Sequence, residues 1–186
     1  IFLGSSTTAN VLNLSFSRIA SNTAGTLSGL ATSGGTANVE NNWWGCATGP
    51  SAAPCDTAGI SGGGAVDFDP WLQLRTTASP GTVVTGQTSS LTSSFLLNSA
   101  GSSISASNLN VLIGLTVSWS ASGGSISSAQ TTIQSNGQAT ATFTATNAGP
   151  PTRSATAQVD NGPASANITV NKADTALSAL TDSPDP

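Results

Sequence analysis

Asp67 and Asp69 flank Phe68 and form the one acid-x-acid pair in a chain of 186 residues. Alternate side chains of a strand share a face, so both carboxylates would point the same way. Such a pair could hold a hard cation such as Ca²⁺ if backbone oxygens joined it. Two carboxylates nevertheless fall short of the roughly 6–8 oxygens that Ca²⁺ collects. The competing reading has Asp69 capping the turn before Pro70 and Asp67 in solvent. We take it as the better account, so no cofactor is expected.

Other chemistry is poorly supplied. Glycoside cleavage needs paired carboxylates, and lyase chemistry needs a carboxylate-bound metal beside an Arg or Lys base. The acids of residues 1–66 are Glu40 and Asp56, and the cation of residues 1–74 is Arg18. Arg18 is expected to pair with Glu40 or to stand in solvent. There is no His, so Cys46 and Cys55 lack the base that a catalytic thiol wants and the further ligands that a metal site wants. A disulfide across their Pro- and Gly-rich loop is the preferred reading, and two free buried thiols the alternative. The bond would stabilise by roughly 2–3 kcal/mol in the chain-entropy picture. It implies an oxidising compartment, hence an extracellular or cell-surface protein. Asp174, Asp182 and Asp185 read as solvated linker acids, because their spacing matches no ligand loop. No catalytic residue is expected, and the chain is read as non-enzymatic.

Composition narrows the partners. Charged residues make up 6% of the chain, against about 25% in ordinary domains. Arg18, Arg75, Arg153 and Lys172 are scattered, so no patch could neutralise several phosphates, which argues against nucleic acid. There is no basic amphipathic helix and no apolar run near about 18 residues, so no membrane insertion is expected. The surface must be Ser, Thr, Asn and Gly, and Thr suits a half-exposed strand. The chain opens in the apolar run Ile1-Phe2-Leu3, without an initiator Met or a signal peptide. A processed protein or a piece of a longer one is expected.

Three stretches can be told apart. Residues 1–40 carry brief apolar touches, such as Val11-Leu12-Asn13-Leu14-Ser15-Phe16 and Ala37-Asn38-Val39, between Ser, Asn and Gly. No helical period develops. Short strands at about 20 residues per circuit, at most two circuits of them, fit a parallel solenoid. Such coils need neighbours, so this part should end a longer solenoid or be completed by another chain. Residues 41–72 hold three of the four Trp residues. Asn42, Trp43, Trp44, Gly45 and Trp71 are expected to form a cap over the open end of the last coil, with each indole N–H wanting a partner. Exposed Trp43 or Trp44 could instead stack on sugar rings. Residues 73–80 read as a linker. Beyond it, alternation is strict. Leu91, Phe95 and Leu97 share a face, as do Leu115, Val117, Trp119 and Ala121. Ala139, Ala141, Phe143 and Ala145 follow, then Ala155, Ala157 and Val159, then Ala166, Ile168 and Val170. Period-2 strands broken by Asn-Gly and Gly-Gly turns indicate an antiparallel sandwich, with Trp119 at its centre and Phe143 in its core. Leu177, Ala179 and Leu180 resemble a further strand.

The run Asn41-Asn42-Trp43-Trp44-Gly45-Cys46, with Gly49-Pro50 and Asp69-Pro70-Trp71-Leu72, resembles the C-terminal end of bacterial right-handed parallel β-helix surface proteins. The run Val117-Ser118-Trp119-Ser120-Ala121-Ser122-Gly123-Gly124, with Ser135-Asn136-Gly137-Gln138-Ala139-Thr140-Ala141-Thr142-Phe143, is similar to bacterial immunoglobulin-like domains of the invasin/intimin kind. Together these imply an all-β chain. Terminal coils of a parallel β-helix (1–74) would be joined to an Ig-like sandwich (75–171). Residues 172–186 would be a linker or the first strand of a next module, free to pair in trans. The resemblance implies a stalk, adhesin or fibre and transfers no catalytic residues. With a bacterial origin implied, the sequons Asn13-Leu14-Ser15 and Asn167-Ile168-Thr169 are read as chance. The expected partners are copies of the same chain or neighbouring modules, and glycans or a host or neighbouring cell surface. Open ends joined head-to-tail would build filaments. The alternative function is a carbohydrate-binding or non-catalytic end of a polysaccharide-degrading β-helix enzyme.

Overall fold

The computed structural model describes residues 1–4, 10–23, 25–50, 53–147 and 153–173. Within them the chain is all-β, apart from one turn of 3₁₀ helix at Ala106–Asn108. The strand-like tail at 177–180 and the acids Asp174, Asp182 and Asp185 lie outside the described residues.

The first six strands are two or three residues long: β1 (Phe2–Leu3), β2 (Val11–Asn13), β3 (Leu30–Thr32), β4 (Thr36–Asn38), β5 (Ala58–Ile60) and β6 (Ala65–Asp67). They form two three-stranded parallel sheets, β1-β3-β5 and β2-β4-β6. A third side carries isolated parallel pairing, with Arg18 opposite Trp43 and the Leu72 N–H donating to the Asn42 carbonyl at 3.0 Å. The chain thus passes three times through the same three sides, one layer more than expected. Phe2 pairs with Ala31, and Ala31 with Gly59, so a circuit is longer than the expected spacing of about 20 residues. Corners between the first two sides are cut by Gly35 and Gly64, at φ +83° and +103°. A Cβ on Gly64 would collide with the Gly35 carbonyl directly above it, so glycine is required for the corners to stack.

Inward rows run through the layers. Leu12, Ala37 and Val66 stack in register. Ala37 is fully buried, while Leu12 and Val66 are half-buried. The same holds for Leu3 above Thr32 and Ile60, where Thr32 is fully buried and Ile60 is 51% exposed. The middle layer is the covered one, and both outer layers leave apolar side chains in part uncovered.

The remaining described residues form eight strands: β7 (Arg75–Ser79), β8 (Thr82–Val84), β9 (Thr88–Ser94), β10 (Ser118–Ala121), β11 (Gly124–Ser127), β12 (Gln138–Ala145), β13 (Arg153–Val159) and β14 (Gly162–Asn171), all but β8 longer than the first six. They form sheets of order β11-β12-β9-β7 and β10-β13-β14-β8. All pairs are antiparallel except β14 with β8. The 73–80 linker is therefore a misreading, since β7 pairs with β9 over Arg75–Ser79. Its residues alternate too weakly in hydrophobicity to announce an edge strand. Ala139, Ala141, Phe143 and Ala145 face inward and are buried, with Thr140, Thr142 and Thr144 on the other face. Trp119 packs against both buried clusters of the two-sheet body, but it is less deeply buried than expected. It sits half-buried on the edge strand β10, its indole N–H donating to the Gln130 carbonyl at 3.0 Å. Phe143 is fully buried in the core beside Leu91 and Ile168. Leu97 is 39% exposed, because β9 ends at Ser94 and the alternation ends with it.

Candidate functional site

Trp43 forms a parallel bridge with Arg18, and the side chains of Trp43 and Trp44, neighbours in sequence, are buried in different clusters. Each enters a different core. Trp44 packs with Ile19, Leu30, Ala37 and Val39 inside the parallel layers. Trp43 packs with Leu72, Leu74, Leu109 and Leu112 at the near end of the two-sheet body. Its ring meets Phe95 edge-on at 5.0 Å and 83°. Both indoles are fully buried. The pair belongs to the middle layer, with the Ser17 carbonyl accepting the Trp43 N–H at 2.9 Å on one side and Leu72 following on the other. It therefore joins two cores rather than covering an end.

Asn42 holds that layer in place. Its amide nitrogen donates to the carbonyls of Leu14 (2.7 Å) and Val39 (2.6 Å), and its oxygen accepts the Ser17 N–H at 2.8 Å. A fully buried amide satisfied on both ends clips two layers together. Asp56, just after Cys55, is the second buried polar post. Its carboxylate accepts the Asn22 N–H at 3.1 Å, the Asn22 amide at 2.7 Å and the Ser28 hydroxyl at 3.1 Å. Cys46 and Cys55 are joined as a disulfide.

Opposite Trp43 stands the hairpin turn Asp160-Asn161 between β13 and β14. The Trp43 indole N–H donates to Asp160 Oδ2 at 2.7 Å. Arg18 grips the same carboxylate with two donors, Nε to Oδ2 at 3.0 Å and Nη2 to Oδ1 at 2.5 Å. The pairing of Arg18 is thus with Asp160, not Glu40. Hydrogen bonding to Asp160 raises the Arg18 pKa above its already high ordinary value. Asp160 takes φ +52°, a left-handed conformation that Asp tolerates better than most residues. Arg18, Leu115, Thr116, Ser118, Gln158 and Asp160 line an open cleft beside this pair. Its two charged groups are occupied with each other.

Further bonds tie the connecting segment down. The Trp71 indole and the Gln73 amide both donate to the Ala47 carbonyl at 3.1 Å. The Ser99 N–H donates to the Trp71 carbonyl at 2.9 Å, and the Asn98 amide to Asn41 Oδ1 at 3.0 Å. Gly49, at φ +77°, lies flat against the Trp71 ring. Asp67 and Asp69 are exposed at the rim. Here Asp67 does the capping, its Oδ1 accepting the Asp69 N–H at 3.3 Å. Asp69 accepts from the Ser99 hydroxyl at 3.4 Å. No cluster of three or more acids, Cys or His able to hold a metal occurs among the described residues.

Nothing in the sequence marks Asp160, Asn161 or Asp56 as site residues. Asp160-Asn161-Gly162 reads only as a turn, and nothing local says that the turn docks on residues more than a hundred positions earlier.

No protein-family model matches the sequence, and no curated protein matches it. The chain is similar to the solved structure of the Yersinia pseudotuberculosis adhesin InvE at 24% identity and a TM-score of 0.39, over 54% of this chain and 26% of that one. For InvD of the same organism the figures are 22%, 0.37, 52% and 27%. For domains 4 and 5 of the S-layer protein SbsC they are 13%, 0.35, 57% and 55%. The match thus spans about a quarter of the length of the two Yersinia structures.

Proposed function

We propose that the chain is a structural extracellular module of a bacterial surface stalk, adhesin or fibre. In this reading residues 1–74 are the final coils of a right-handed parallel β-helix and residues 75–171 an immunoglobulin-like sandwich. The carrying observation is the junction. The Trp43 ring, carried on the middle parallel layer, is buried in the core at the near end of the sandwich, and Asp160 is gripped by Arg18 and Trp43. A body that must transmit load gains from a joint with a continuous core and no free linker between its parts. The disulfide fits an oxidising exterior, and a surface of hydroxyls and amides fits a stalk that meets water and few charged partners.

Assembly into filaments belongs to the same proposal. Leu3, Leu12 and Leu14 on one outer layer, and Ile60, Val66 and Phe68 on the other, are left partly uncovered. Among the described residues both outer layers also keep unpaired strand edges, which can be extended by further coils or by another copy. Carbohydrate binding through Trp43 or Trp44 is disfavoured, because neither ring offers a face to a sugar. Negative-stain electron microscopy with light scattering tests the assembly. Regular filaments, or masses at multiples of the 18.2 kDa chain, are expected. A uniform monomer at every concentration would remove self-assembly and leave a module that works only inside a longer protein.

A further inference from the structure

Asn161 makes two hydrogen bonds to the parallel region, and they land on opposite arms of the disulfide loop. Its N–H donates to the Gly45 carbonyl at 3.0 Å, and its amide nitrogen to the Pro54 carbonyl at 2.9 Å. Gly45 immediately precedes Cys46, and Pro54 immediately precedes Cys55. The distance between the two acceptors is set by the sulfur bridge, which holds the two Cα atoms 5.4 Å apart, together with the Asp56 N–H donating to the Trp44 carbonyl at 3.0 Å. The hairpin can come this close because residue 162 is glycine. A Cβ there would lie 2.7 Å from the Trp43 ring and 2.8 Å from the Cys46 Cα. The same loop presents the Ala47 carbonyl to Trp71 and Gln73.

We propose that the Cys46–Cys55 bond is an oxidation-dependent latch, which sets the two carbonyls at the spacing that captures Asn161 and so locks the β13–β14 hairpin onto the parallel layers. Reduction by a dithiol breaks the S–S bond and forms two S–H bonds. The reductant supplies two electrons and two protons and closes to its own disulfide. The Pro54 arm can then part from the Gly45 arm, and Asn161 loses at least one acceptor. The coupling is reciprocal. Cys46 and Cys55 are only 4% and 8% exposed, so a docked hairpin shields the sulfurs, and an undocked one leaves them open to attack. The same bond, read only as a staple of its own loop, would have no effect on a hairpin some hundred residues away.

The test is native-state hydrogen exchange by NMR on the full chain, oxidised and then reduced with dithiothreitol. The Asn161 N–H and the Trp43 indole N–H, which bonds Asp160, should exchange about tenfold or more faster after reduction, the loss expected for one or two hydrogen bonds. The interior-strand N–H groups of Phe143 and Ala157 should keep their rates. Equal rates for Asn161 and Trp43 in the two forms would overturn the latch. So would a uniform loss at all four sites, which describes a general staple. A second measurement stands should the reduced chain unfold. In oxidised Asn161→Ala, dithiothreitol should cleave the disulfide several-fold faster than in the parent chain, and an unchanged cleavage rate would overturn the proposal.

Discussion

The parallel layers and the two-sheet body are built from the same hydroxyl-rich alphabet, yet they are held together differently. The layers have strands of two or three residues, too short to hold register by their own ladder. Their order comes from single heavy fixtures: the Trp44 ring, the Asn42 clip, the Asp56 post and the disulfide. The sandwich has strands of up to ten residues, antiparallel in all pairs but β14 with β8, and its centre sets small alanines beside Leu91, Phe143 and Ile168. Losing any one alanine methyl there would matter little, because the ladder carries the register. The difference teaches that stability is concentrated at a few positions in the layers and distributed in the sandwich, with Trp43 as the point where the two meet.

The largest effect should come from that shared position. Trp43→Ala empties a fully buried site, strips Asp160 of its indole donor and should cost about 3–5 kcal/mol. Denaturant unfolding followed by circular dichroism would show it. A smaller loss, confined to one of two separate transitions, would break the picture of a common core. Next comes the disulfide. Cys46→Ser with Cys55→Ser should cost roughly 2–3 kcal/mol, visible as a lowered midpoint without reductant present.

A pair of polar substitutions sharpens the contrast between regions. Asn42→Ala leaves the Leu14 and Val39 carbonyls and the Ser17 N–H without their partner, and should cost about 1–3 kcal/mol. Thr140→Ala, on the solvent face of β12, should stay within about 0.5 kcal/mol of the parent. Similar costs at the two sites would contradict the division into concentrated and distributed support. Arg18→Ala should weaken the chain by about 0–1 kcal/mol, since the pair with Asp160 is partly open to solvent. The sign of its pH dependence follows from the raised Arg18 pKa. The share that depends on the guanidinium charge is complete below the unfolded guanidinium value and declines only as pH rises through the folded one. Stability from this cation should therefore be flat between about pH 6 and 9. The smallest effect is expected from EDTA, which should leave the melting temperature unchanged. A clear drop would return Asp67 and Asp69 to consideration as calcium ligands.

Much of this was legible locally. The inward faces Ala139 to Ala145, Ala155 to Val159 and Ala166 to Val170 follow from strict alternation, because a strand shows its burial at period 2. The pairing of Cys46 with Cys55 followed from their number, their loop and the absence of His. Less legible were strands of three residues, in which no period can develop. Their count and circuit length came out too small for that reason. An edge strand covered on one face alternates weakly, which hides β7, and nothing in the strand of Trp119 says that it lies at an edge, so this ring is shallower than its alternation suggests.

The amino-acid order alone determined that the chain is all-β, that it carries no His-based chemistry and that its heaviest side chains gather in residues 41–72. Those are properties of composition and of short-range pattern. Only the tertiary structure decided that Trp43 and Trp44 serve two different cores, that Arg18 answers to Asp160, and that Asn161 reaches the two residues preceding the cysteines. Each of these joins groups far apart in the chain, and their meeting is set by how whole layers and sheets dock, for which no local rule exists.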